Sequence, residues 1–148
     1  MTGPALSVAL LVLLAGYPGS GAPPSPLAPQ TDSLIAAARR AAAAWQRHDF
    51  AALVAGSPGV MIRLDGAEPS APVGRAQAAQ TLESFAGGAV EISLQVLSVR
   101  EVDGSRAFTE VERTYAVRGT GARQVQTLYF GWRREGGGYR LVEVRLVP

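Results

Sequence analysis

Apolar positions recur at helical spacing in the first half of the chain and at every second residue in the last third. In LIAAARRAAAAWQR (34–47), Leu34, Ile35, Ala38, Ala42 and Trp45 fall within one arc of about 100°, with Arg39, Arg40 and Arg47 opposite. Thr31, Asp32 and Ser33 offer N-caps for this helix. FAALVAG (50–56) predicts a short helical turn ending at Gly56, and VMIRL (60–64) a short strand. RAQAAQTLESF (75–85) is again helical, with Ala78, Leu82 and Phe85 on one face and Gly87–Gly88 as its stop.

The period then becomes two. AVEISLQVLSVREV (89–102) sets Val90, Ile92, Leu94 and Val96 against Glu91, Ser93 and Gln95, and slips phase at Leu97–Val99, where a bulge is expected. Strands over 106–117, 123–134 and 139–146 follow, separated by DGS, RGTG and EGGG turns. Fourteen residues in a straight strand would run about 46 Å, too long for a domain of this size, so the sheet must curl. Helices first and an antiparallel meander last predict an α+β domain with helices packed on one strongly curved antiparallel sheet.

His48 and Asp49 sit between the first two helical stretches. Asp49 reads as the N-cap of the second, because its carboxylate can accept the free amide hydrogens of the first turn. His48 then occupies the corner. A catalytic His–Asp pair would need both side chains aimed into one pocket.

Composition narrows the chemistry. The 148 residues suit one domain. The chain has no cysteine and one histidine, which removes disulfides and thiolate nucleophiles and argues against a zinc site. All fourteen basic residues are arginine, scattered rather than clustered, so nucleic-acid binding is not expected. Glycine-rich turns at 119–121 and 135–138 join strand to strand, so no phosphate cradle is expected.

Residues 5–16, ALSVALLVLLAG, form an apolar run shorter than the roughly 20 residues of a membrane span. The run fits an export signal over residues 1–21. LLAGY (13–17) has tyrosine where a lipoprotein box needs cysteine, so no membrane anchor is expected after cleavage. Five prolines in residues 16–30 mark a linker, assigned to 22–30. The folded domain is expected over 31–148, in the periplasm or secreted.

Several side chains are candidates for binding. Leu128, Phe130 and Trp132 share one strand face, with Trp45 and Phe85 expected across from it. They could line an apolar pocket or form ordinary core. Glu143 interrupts the apolar run LVEV, and alternation places it on the face of Leu141, opposite Val142 and Val144. A general base there would need burial and a raised pKa, and solvent exposure is the reading taken for Glu143. Glu110 and Glu112 share the outer side of their strand.

The helix ending AWQRHDFAALVA, the strand VMIRL, the stretch VGRAQAAQTLESF and the terminal hairpin LYFGWRREGGGYRLVEVRL follow one another in an order that resembles the nuclear transport factor 2-like superfamily. The resemblance covers about residues 32 to 148 and is strongest to small exported bacterial domains of unknown function. It implies a cone-shaped roll with an interior pocket and a tendency to pair through the sheet. It does not imply a reaction, and no catalytic set carries over. The sequence therefore predicts an exported, non-enzymatic domain without a cofactor. Its expected ligand is a small apolar molecule or an envelope protein, with a homodimer through the sheet. The alternative is an isomerase or dehydratase using Glu143, or Asp49 if it is not a cap, with His48 or a tyrosine.

Overall fold

The computed structural model describes residues 29–148. The export signal and most of the linker read from the sequence lie outside these residues. The elements run α1 (Pro29–Gln46), α2 (Phe50–Leu53), β1 (Met61–Arg63), α3 (Arg75–Ala86), β2 (Ala89–Glu101), β3 (Arg106–Val117), β4 (Arg123–Glu135) and β5 (Gly138–Val147). α1 begins at Pro29, ahead of the expected caps, so the last two linker positions are helical. Proline suits a first helical position, where its missing N–H has no partner to lose. Among the described residues no helix is long and apolar enough to cross a membrane.

The five strands form one sheet in the order β1-β5-β4-β3-β2. β2 to β5 are an antiparallel meander, as expected. β1 pairs parallel with β5, so the sheet is mixed rather than wholly antiparallel. The reason is connectivity: β1 is separated from β5 by the rest of the fold and enters at the free edge of the last strand.

α1 lies across the concave face. Leu34, Ala38, Ala42 and Trp45 are buried, and so are Ala37, Ala41 and Ala44. The alanines keep the helix thin, so its backbone can approach the sheet while Trp45 fills the deepest space. From the sheet, Val111, Leu128, Phe130, Trp132, Leu141, Val144 and Leu146 complete the core.

Three bulges set which side chains face the helices. β2 and β3 shift register between Val96 and Ser98, the expected slip, and again between Glu91 and Ser93. The second shift inverts the start of β2. Val90 and Ile92 become exposed, while Glu91 turns inward opposite Tyr115. A third shift, between Gly131 and Trp132, skips Val142 on β5. Leu141 and Val144 therefore share the buried side. Glu143 is paired with Gly131 on the outer side, which corrects the alternation expected for LVEV. One extra residue in a strand moves every later side chain to the other face.

Candidate functional site

α1 ends in a left-handed residue that is not glycine. His48 has φ 54°. Its amide donates to the Trp45 carbonyl at 2.8 Å, and the Asp49 amide donates to the Ala44 carbonyl at 2.9 Å. This pair of bonds closes the helix as a Schellman motif. A left-handed conformation costs a non-glycine residue roughly 1–2 kcal/mol. Asp49 then accepts from the Ala52 amide at 3.1 Å and caps α2, as expected.

The corner directs the imidazole of His48 toward Glu91. His48 Nε2 lies 2.9 Å from Glu91 Oε1. The indole Nε1–H of Trp45 donates to the same oxygen at 3.2 Å. From β3, Arg113 Nε donates to both carboxylate oxygens at 3.1 and 2.9 Å. Arg113 also donates from a terminal nitrogen to the Gln126 side-chain oxygen at 2.9 Å. The Glu91 and Arg113 side chains are 3 % and 1 % exposed, and that of His48 is 27 % exposed. The guanidinium lies 4.1 Å from the Tyr115 ring centroid, 5.3 Å from Trp45 and 5.9 Å from Phe85.

This cluster is a neutralised ion pair inside an aromatic box. An ionised carboxylate only accepts hydrogen bonds, so His48 must carry its hydrogen on Nε2. Glu91 then receives from Arg113, Trp45 and His48 together, mostly at Oε1, while Oε2 accepts from Arg113 Nε. Arg113 in turn finds two partners and three ring faces. Removing either charge would strand the other away from water.

The residues singled out from the sequence are divided by the fold. Trp45, Leu128 and Phe130 are wholly buried in the core. Phe85 is half-buried and packs against that core and over Arg113. Trp132 donates from Nε1 to the Thr109 hydroxyl at 2.9 Å and reaches the wall of two surface clefts. Glu143 lies on the convex face, across the sheet from this group. Neither Asp49, held by its cap, nor Glu143 is the partner of His48; Glu91 is. Glu110 and Glu112 are on the outer side, as expected, and Glu110 accepts from the Ser98 hydroxyl at 3.4 Å.

Glu91, Arg113 and Gln126 were not found by sequence reasoning. For Arg113 the signal was present: it has the parity of Ala107, Thr109 and Val111 on β3, the face opposite Glu110 and Glu112. For Glu91 no local signal existed, since only the bulge turns it inward.

Five of the more prominent surface clefts on the described residues are lined by side chains other than His48, Glu91 and Arg113. Among the described residues no group of three or more acidic or histidine side chains is placed to hold a metal ion.

A thin alanine-faced helix laid across a curled meander, with a β1 edge strand and an α3 cover, is the roll of the nuclear transport factor 2-like, cystatin-like fold. A ketosteroid isomerase-like protein from Erwinia carotovora atroseptica superposes with TM-score 0.62 at 19 % identity, covering 78 % of this chain and 93 % of that one. An NTF2-like protein with a cystatin-like fold from Novosphingobium aromaticivorans gives 0.58 at 19 % identity, covering 80 % of each chain. An NTF2-like protein of unknown function from Shewanella oneidensis gives 0.59 at 10 % identity, covering 80 % of this chain and 98 % of that one. No protein-family model matches the sequence, and no curated protein matches it. The likeness is therefore one of fold.

Proposed function

We propose that the chain is an exported, non-enzymatic roll domain that works through the outer face of its sheet, with a second copy of itself as the partner there. The observation that carries the reading is the placement of its apolar surface. On the concave side Trp45, Phe130 and the Glu91–Arg113 pair are buried, and an open cleft remains between α1 and β2. Meanwhile Val90, Ile92, Val125 and Val147 stand 50 %, 41 %, 63 % and 38 % exposed. Val90 pairs with Ala116, and Val125 with Thr114, on the side of the sheet away from Arg113. Val147 pairs with Thr127 on that same side. Exposed apolar side chains gathered on one sheet face favour association there. Glu110 and Arg145 lie on this face on either side of Tyr129, so a twofold pairing can set each charge against its opposite. The apolar run over residues 5–16 motivates the export part.

Native mass spectrometry of the chain expressed in a secreting host tests both parts. The expected species is a cleaved dimer that Val125→Glu converts to monomer. A monomer at tens of micromolar would overturn the pairing, and an uncleaved chain the export. A tightly retained small molecule would move attention back to the interior.

One observation favours the enzymatic reading: His48 is oriented by a carboxylate, that of Glu91. Against it, none of the five prominent clefts is lined by His48, and a proton acceptor needs its substrate within hydrogen-bond distance. An enzyme would show a ligand-dependent shift of the His48 ring resonances in NMR when keto-acid or enone probes are added; no shift is expected.

A further inference from the structure

The other end of the outer face carries an arrangement that works against stability. Arg106 on β3 lies directly opposite Arg133 on β4, and Arg133 directly opposite Arg140 on β5. Three cations thus form one rung across three strands. Directly opposed side chains on a sheet face have Cβ atoms about 4.5–5.5 Å apart, and like charges there repel. Asp103 relieves Arg106 through a 3.1 Å contact, and Glu135 approaches Arg140 at 4.0 Å. Among the described residues Arg133, the middle member, has no acidic partner.

Beside this rung opens a cleft of 490 Å³, within the range of about 300–1,000 Å³ usual for small-molecule sites. Arg106 and Arg133 form part of its rim, and Met61, Phe108 and Pro72 give it apolar walls. Glu143 also lines it and is half-buried, yet its carboxylate makes no hydrogen bond or ion pair to any described residue. Gly131 at the base has no side chain. A Cβ there would come 2.8 Å from Glu143 Cβ and 3.2 Å from Phe108 Cε1. The glycine therefore keeps the base of the cleft open.

We propose that this cleft binds a short apolar peptide with free termini. The Arg133 guanidinium, aided by Arg106, takes the terminal carboxylate. Glu143 takes the terminal ammonium, and the side chains lie against Phe108 and Met61. A zwitterionic, apolar ligand is the class that satisfies the unpaired cation, the unpaired half-buried carboxylate and the apolar walls together. A purely anionic amphiphile would leave Glu143 facing like charge, and a purely cationic one would meet the rung. The site adjoins the charged end of the proposed pairing surface, since Phe108, Gly131 and Glu143 each lie two positions from Glu110, Tyr129 and Arg145. Its apolar end is farther off: Val125 and Gly131 are six positions apart on β4, about 20 Å along the strand.

The test is a ¹⁵N NMR titration of the full mature chain with the dipeptide Phe-Leu, its N-acetyl form and its C-terminal amide. Phe-Leu is expected to give saturable shifts at Phe108, Gly131 and Glu143. Each capped form is expected to bind at least about tenfold more weakly, the loss of one charge-assisted contact. Glu143→Gln should abolish the preference for a free ammonium and keep that for a free carboxylate. Arg133→Gln should do the reverse. Both positions are at the surface, and a denaturation midpoint for each variant verifies folding. Equal binding of free and capped dipeptides, or no saturable shift at millimolar concentration, overturns the proposal. Sedimentation of the same samples reports the oligomer separately. A dimer without peptide binding sinks this site alone, and a monomer that binds peptide sinks only the pairing.

Discussion

Arg113 follows Glu91 by 22 positions, and its Nε donates to both oxygens of the Glu91 carboxylate across neighbouring strands. The pair is closed off by Trp45 from the helix and Phe85 from α3, so it joins three parts of the roll at one point. Its contribution is to specify how those parts meet. Two well-packed apolar side chains could match its net stability.

That view predicts a strong non-additivity. Arg113→Met or Glu91→Leu alone leaves one buried charge unpaired and should cost about 3–5 kcal/mol. The double variant should be destabilised by less than the sum of the two, and by less than either single change if the space repacks. Urea denaturation of the three variants measures the coupling. Additive losses would mean that the two charges do not depend on each other.

His48 sits in a left-handed corner that glycine would occupy without strain. His48→Gly removes the strain and the Glu91 contact together, so its net effect should be small. His48→Ala keeps the strain and loses the contact, and should be less stable than His48→Gly by roughly 1 kcal/mol. Denaturant midpoints decide it. If alanine equals glycine here, the backbone corner is not the constraint.

Gly131→Ala places a Cβ against Glu143 and Phe108. Overpacking of this kind costs about 1–3 kcal/mol. Because the nearest atom is Glu143 Cβ, the change should be much milder in a Glu143→Gly background. Thermal unfolding of the single and double variants reads the difference, and an equal cost in both backgrounds would place the strain elsewhere.

The β2–β3 turn has an acid-sensitive lock. Asp103 accepts from the backbone and hydroxyl of Ser105 and from Arg106. These bonds, the Ser105 amide first, lower its pKa from 3.8 to about 2. A carboxyl depressed in the folded state adds stability above its unfolded pKa, and this is lost as pH falls through the folded value. The turn should therefore hold at pH 4 and loosen toward pH 2. Amide exchange at Ser105 and Arg106 follows it, and Asp103→Asn should flatten the pH dependence over that window.

Much of the roll was legible in the chain because periodicity is a local property. The strand over 106–117 begins and ends where alternation and its flanking turns place it. The Asp49 cap could be read from one residue and the four that follow. The rung of arginines could not be, since Arg106, Arg133 and Arg140 become neighbours only through two hairpin registers. Strict alternation puts Glu91 and Glu143 on the wrong sides for one shared reason. Each lies next to a bulge, and a bulge is decided by how two strands settle against their neighbours.

The sequence by itself determined which segments are helix or strand, their order, and the curl that long strands impose on a small domain. Hydrophobic period and turn chemistry act over a few residues, so they survive without tertiary context. The tertiary structure alone decided which carboxylate meets His48, which face Glu91 and Glu143 occupy, and that β1 joins β5 in parallel. Those choices rest on contacts between residues tens of positions apart. There, one extra residue in a strand exchanges the buried face for the exposed one.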